Sequence, residues 1–245
     1  MGELIAVLSG KGGTGKTSVC AGIATALAKL GNQVLCIDCD IGLRNLDIAL
    51  GLAQTAPISF VDVYRGDYTL AEAPSHPAYP NLCFLTAPVN CSSEQIDKLA
   101  FSRMLRSARE QYSFVLLDAP AGVELGFSLC ADYADRVILV TNAEPAAVRD
   151  AAQAGQALER MGKPDVRLVV NRVQKKMFKA MNITVDDVMD EAGLPLLGIV
   201  PEDHNVTLAA AFEKPLLKYT RRGAAKACLR IAKRLMGQKV PLAFR

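Results

Sequence analysis

The chain has 245 residues, just over half of them apolar, and a formal net charge of +3. That is enough apolar sequence for one large α/β domain with a substantial core, and no run of about 18 apolar residues offers a membrane-spanning helix. Seven scattered cysteines, an odd number, argue for a reducing compartment and against a disulfide framework.

The N-terminus, Met1-Gly2-Glu3, lacks the basic region of a signal peptide. Ala6 also stands where a myristoylation signal has Ser or Thr, so the chain reads as cytoplasmic. Leu4 to Leu8 is a short apolar run suited to a buried strand, and an Ala/Leu-rich helical pattern runs from Ser18 to Leu30. Between them lie Gly10, Lys11, Gly12, Gly13, Thr14, Gly15, Lys16 and Thr17, which match the phosphate-loop pattern at every fixed position. Glycines let such a loop turn tightly and aim successive N–H groups at one anion, and the helix N-terminus adds partial positive charge. Lys16 is then expected to reach the β- and γ-phosphates, Thr17 to hold Mg²⁺ through its hydroxyl, and Ser18 to border the same nucleotide. Lys11 is a second lysine where the pattern asks for none; a solvated loop charge is its plain alternative.

Gly31-Asn32 ends the first helix, and Val34 to Asp38 reads as a second strand. It delivers Asp38-Cys39-Asp40 to the carboxyl end of the sheet, where open α/β folds bind ligands. A carboxylate beside a γ-phosphate can orient water or hold a metal, whereas a bare one would repel the phosphate; a solvated acidic turn is the alternative. Cys36 and Cys39 have C-x-x-C spacing, but at a strand end and without a second ligand pair, so an incidental role is expected. Residues 53–81, rich in proline, read as short helices and loops.

Asn81 to Leu85 is the next expected strand, followed by a helix from Ser92 to Gln111 with Ser93 as its cap. Phe114 to Asp118 is an apolar strand ending in an acid, the arrangement that holds a carboxylate near a metal's water shell; Asp118 as a mere helix cap is the alternative. Ala119-Pro120-Ala121-Gly122 follows it. Val137 to Val140 is a further strand leading into Thr141-Asn142-Ala143-Glu144, and Pro145 suits the first turn of the next helix. Leu168 to Arg172 is the sixth strand, with Asn171 at its carboxyl end able to read a base edge or to serve a turn. His76 and His204 lack sequence neighbours that would support catalysis or metal binding. This alternation of strands and helices predicts an α/β P-loop NTPase fold, a mostly parallel central sheet with helices on both faces.

Residues 218–245 hold nine Lys or Arg and no Asp or Glu, which leaves the rest of the chain net acidic. A helix over 218–236 would place Arg222, Lys226, Arg230, Lys233 and Arg234 on one side, and Ala224, Ala227, Cys228, Ile231 and Leu235 on the other. Such a helix suits packing on the sheet, and its pattern also suits an anionic membrane.

Several segments resemble one family. Lys11 to Thr17 looks like the deviant Walker A loop of the MinD/ParA ATPases. Asp38 to Asp47 resembles switch I of the MinD branch, Asp118 to Gly122 its switch II, and Thr141 to Asp150 its T-N-x-E…V-R-D stretch near the dimer face. The likeness extends from residue 3 to about residue 242. It implies an ATP-dependent homodimer in which Lys11 crosses to the partner's nucleotide, and a catalytic set of Lys11, Lys16 and Asp40, with Asp40 positioning the attacking water. It further implies Mg²⁺ at Thr17, Asp38 and Asp118, and adenine contacts from Asn171, Arg172, Pro201, Glu202 and Asp203. The implied activity is partner-stimulated hydrolysis of ATP, and the implied role is placement of the division septum together with a division inhibitor.

Family members continue beyond the segment like Val240-Pro241-Leu242 into a separate anchoring helix. None follows here, so only weak, salt-sensitive contact with the inner face of an anionic membrane is expected. The rival readings are a ParA-type partition or cargo-positioning ATPase, for which DNA binding is the less favoured partner, and an adaptor that binds nucleotide without hydrolysis. Lys16, Asp40 and Asp118 together argue against the adaptor.

Overall fold

Continuous apolar runs form strands buried on both faces, and they alternate here with helices along most of the chain. In order these are β1 (Glu3–Leu8), α1 (Lys16–Lys29), β2 (Val34–Asp38), α2 (Leu46–Leu50), α3 (Phe60–Arg65), β3 (Ser75–His76), β4 (Tyr79–Leu85), α4 (Lys98–Gln111), β5 (Phe114–Asp118) and α5 (Leu125–Tyr133). There follow β6 (Arg136–Thr141), α6 (Pro145–Arg160), β7 (Val166–Val173), α7 (Lys175–Met181), α8 (Val185–Ala192), β8 (Leu196–Pro201), α9 (His204–Ala211), α10 (Leu216–Tyr219) and α11 (Gly223–Leu235). The structure, a computed structural model, describes residues 1–55, 57–89 and 91–242.

The strands form one eight-stranded sheet in the order β3-β4-β2-β5-β1-β6-β7-β8, with β3 alone antiparallel. From β1 the chain first builds outward on one side and later on the other. The turn after β1 therefore lies at a switch point, where the carboxyl ends of the strands leave a crevice. Register aligns the site: Val7 lies opposite Asp118, and Asp118 opposite Asp38, so three strand ends finish at one level. Side chains alternate between two cores. Leu4, Ala6 and Leu8 pack with residues of α4, α5 and α6, whereas Ile5 and Val7 pack with residues of α1 and α11.

Four expectations need correction. β8 has no counterpart among the expected strands, and Gly198 and Pro201 punctuate its six-residue run. Parallel pairing with β7, Val169 opposite Gly198 and Val170 opposite Ile199, makes it a strand. β3, also unexpected, is only two residues long. The helix expected from Ser92 starts at Lys98, where the Asp97 carboxylate accepts from the Leu99 and Ala100 N–H groups at 2.9 and 3.0 Å. The side chain of Ser93 lies outside the described set.

The expected 218–236 helix is two helices, α10 and α11, broken at residues 220–222. The apolar side of α11, including Cys228, Ile231 and Leu235, is buried against α1 and β8, which leaves Arg221, Arg222 and Lys226 on the exposed side. It is a core helix. Among the described residues no helix is long and apolar enough to cross a membrane.

His76 is a structural residue with partners that its sequence neighbourhood conceals. It is 2% exposed, its Nε2 lies 2.9 Å from the Leu50 carbonyl, and its Nδ1 accepts from the Ala78 N–H at 2.9 Å. These partners select the neutral ring protonated at Nε2. Burial, with a contribution from Lys218, holds its pKa below the usual 6.5. The unfolded chain therefore binds the extra proton first, so this stability is complete above pH 6.5 and is lost as pH falls below it. We expect wild-type Tm to fall more between pH 7.5 and pH 5.5 than that of His76→Asn; equal slopes would show that His76 carries none of the dependence.

Candidate functional site

The loop between β1 and α1 carries the site. Gly13 and Gly15 take φ of 82° and 85°, in the left-handed region. A Cβ on Gly15 would also run into the Asn171 amide. Lys16, at the start of α1, is 6% exposed, and its Nζ lies 2.6 Å from Asp118 Oδ1, with Asp118 1% exposed. Lys16 Nζ also donates to the Thr17 hydroxyl at 3.4 Å. Burial lowers the Lys16 pKa, but Asp118 more than offsets this and holds the ammonium above its ordinary value. Burial pushes the Asp118 carboxyl up, against the pull of Lys16. The pair is charge-matched but expensively desolvated, which makes Lys16 ready to exchange one anion for another.

The neighbouring acids occupy different positions. Asp38 is 1% exposed, and its two oxygens accept from Asp40 N at 2.9 Å and Leu46 N at 3.2 Å, pinning the segment that follows β2. Burial, then the charge of Asp118, push its pKa up to about 7. Asp40 is half-buried, with its pKa raised by burial and opposed by Lys16. On the other side, Gly122 N donates to the Ser9 carbonyl at 3.0 Å, tying the segment after β5 to the phosphate loop. Lys11 stands at the rim with its side chain 42% exposed, 3.7 Å from the Glu144 carboxylate. Glu144 is the residue that leads into the first turn of α6, in the stretch expected near a dimer face.

Cys36 and Cys39 do not face each other. Cys36 Sγ lies 3.9 Å from Cys20 Sγ, Cys39 Sγ lies 3.9 Å from the Ile37 carbonyl, and all seven cysteines are free.

Beyond the loop, Gly15, Ser18, Asn171, Arg172, Pro201 and Glu202 line one pocket. The residues expected around a base are thus together, but two are partly committed. Asn171 Nδ2 donates to the Thr14 carbonyl at 2.7 Å, which leaves its amide oxygen for a ligand. Asp203 accepts from Asn205 N at 3.0 Å and from Ala224 N at 2.9 Å, so it caps both α9 and α11. Arg172, at φ 53°, reaches the Glu202 carboxylate at 4.0 Å.

These residues suit a magnesium nucleotide. Thr14 Oγ1 is a buried hydroxyl without a hydrogen-bond partner inside the loop. Hard oxygens from Thr17, Asp38, Asp40 and Asp118 gather where burial makes their carboxylates short of positive charge. No group of three His, Cys, Asp or Glu among the described residues could hold a metal by itself. Mg²⁺ at phosphates needs only one or two carboxylates, because the phosphates supply other ligands.

Sheet order, loop and acids together define a P-loop nucleotide-binding protein. The chain belongs to the CobQ/CobB/MinD/ParA nucleotide-binding domain family, whose model matches residues 5–216. It is 36% identical over 244 residues to the septum site-determining protein MinD of Synechocystis, covering 98% of this chain and 92% of that one. Its fold matches MinD from the MinC:MinD cell division protein complex of Aquifex aeolicus with TM-score 0.91 and 34% identity, over 99% and 98% of the two chains. MinD of Pyrococcus horikoshii complexed with Mg-ADP matches with TM-score 0.82 and 29% identity, over 96% of each chain.

Proposed function

We propose that this chain is a MinD-type ATPase in division-site placement, a switch that dimerises on ATP and separates after hydrolysing it to ADP and phosphate. The observation that carries this reading is the division of labour between two lysines of one loop. Lys16 is buried beside the acids, and Lys11 stands exposed at the rim. One suits the chain's own nucleotide; the other can reach a second chain.

Binding begins with the loop N–H groups and Lys16 taking the phosphates, as Lys16 trades the Asp118 carboxylate for phosphate oxygens. Asp118 and Asp38, with the Thr17 hydroxyl, would hold Mg²⁺, which when bound neutralises phosphate charge. Asp40 orients the attacking water. Asn171, Arg172 and the turn Pro201-Glu202-Asp203 border the base, with Asn171 offering its amide oxygen. A second chain meets the rim at Lys11, so the γ-phosphate is the ligand that discriminates monomer from dimer. The relatives named above support Mg-nucleotide as ligand and a MinC-type division inhibitor as partner, and hydrolysis is partner-stimulated.

Asp40→Ala tests the cycle. Removing a water-orienting carboxylate should cost hydrolysis about 10²- to 10⁴-fold while ATP binding stays near wild type, so the ATP dimer should persist in size-exclusion chromatography. Wild-type turnover with rapid loss of the dimer would reject the assignment of Asp40.

A further inference from the structure

The segment that carries Asp40 is held by a contact outside the nucleotide site. Asp38 closes residues 40–46 at both ends, by accepting from Asp40 N and Leu46 N. Between those ends burial does little, since Gly42, Leu43 and Asn45 are exposed, Leu43 by 71%. Arg44 has φ 44°, a left-handed backbone that a non-glycine residue keeps only where its surroundings compensate. The compensation is a hydrogen bond: Arg44 Nε donates to Thr86 Oγ1 at 3.0 Å.

Thr86 is a firm post. It is 3% exposed just beyond β4, its N–H donates to the Ile58 carbonyl at 3.0 Å, and its carbonyl accepts from Phe60 N at 3.0 Å. Arg44 is in turn linked to Asp40, because the Arg44 N–H donates to the Asp40 carbonyl at 3.4 Å and closes a turn over residues 40–44. Sliding Arg44 off Thr86 would therefore move the backbone of Asp40, whose carboxylate must stay beside Lys16.

We propose that Arg44 and Thr86 form a clasp that positions Asp40 for hydrolysis. Thr86 touches no reacting atom; it acts through Arg44, and Arg44 through the backbone. Hydrolysis slows when the clasp opens, because Asp40 then samples positions from which it cannot orient water, while the phosphate loop binds ATP unchanged. The functional half of this proposal rests on the role given above to Asp40. The mechanical half does not.

Thr86→Val keeps the shape and removes the acceptor, Thr86→Ser restores a hydroxyl, and Arg44→Gly relieves the left-handed strain while removing the guanidinium. Two readouts are needed: amide exchange of peptides spanning residues 41–46 in nucleotide-free protein, and kcat and KM for ATP, with Asp40→Ala measured alongside. A lost hydrogen bond to a charged group should speed exchange over 41–46 by about tenfold in Thr86→Val and in Arg44→Gly. In both variants kcat should fall by about tenfold with KM within about twofold, and the double variant should lose no more than either alone. Thr86→Ser should recover most of both. Wild-type exchange at 41–46 in Thr86→Val overturns the clasp, as does faster exchange across the whole chain with a lowered Tm. Faster local exchange with kcat unchanged overturns the positioning role, and wild-type kcat in Asp40→Ala identifies the Asp40 assignment as the part that failed.

Discussion

Lys16→Ala should bind ATP at least about a hundredfold more weakly than wild type and hydrolyse none at saturating wild-type concentrations. A charge-assisted hydrogen bond contributes about 1.5–3 kcal/mol, and the proposed function has Lys16 make more than one to the phosphates, so a loss of two decades follows from affinity arithmetic. The same substitution touches the fold. Lys16 is the counter-ion of Asp118 at 2.6 Å with both side chains buried, and removing one partner of such a pair costs about 3–5 kcal/mol. Burial already pushes the Asp118 carboxyl up, so protonation relieves part of that cost, and less so as pH rises. Thermal unfolding of Lys16→Ala alone and combined with Asp118→Asn separates the two effects. The double variant should regain Tm and still fail to bind a fluorescent ATP analogue. Wild-type affinity in folded Lys16→Ala would remove the loop from the nucleotide site.

Lys11→Ala should fold, bind ATP near wild-type affinity and remain a monomer in ATP. Its side chain is 42% exposed, and its ion pair to Glu144, at 3.7 Å, joins two solvated groups. Such pairs contribute about 0–1 kcal/mol, so Tm should move little. What disappears, on the proposed function, is the cation offered to a second chain. At a closed interface, where water is excluded, each charge contributes far more than at the rim, and two-fold symmetry removes it twice. Light scattering in ATP should give twice the chain mass for wild type and the chain mass for Lys11→Ala. A doubled mass for both would exclude Lys11 as the bridging residue.

Sequence alone determined the local chemistry. Gly10, Gly15, Lys16 and Thr17 at fixed spacing between an apolar run and a helical pattern specify a loop whose geometry is local, so β1, the phosphate loop and α1 were legible together. Strands ending in acids were legible for a related reason: uninterrupted apolar runs have few places other than the centre of a sheet. Position in space was not. That Asp38 and Asp118 finish level follows from the register of β2 on β5, and the six-residue β8 exists because β7 supplies its ladder.

Partners distant in sequence were equally hidden. Asn171 meets the Thr14 carbonyl 157 residues away, Asp203 caps a helix starting twenty residues later, and Arg44 finds Thr86 at a separation of 42 residues. Spacing encodes backbone conformation over a few residues. Exchange of one buried partner for another depends on which strand lies beside which, and only the assembled sheet decides that.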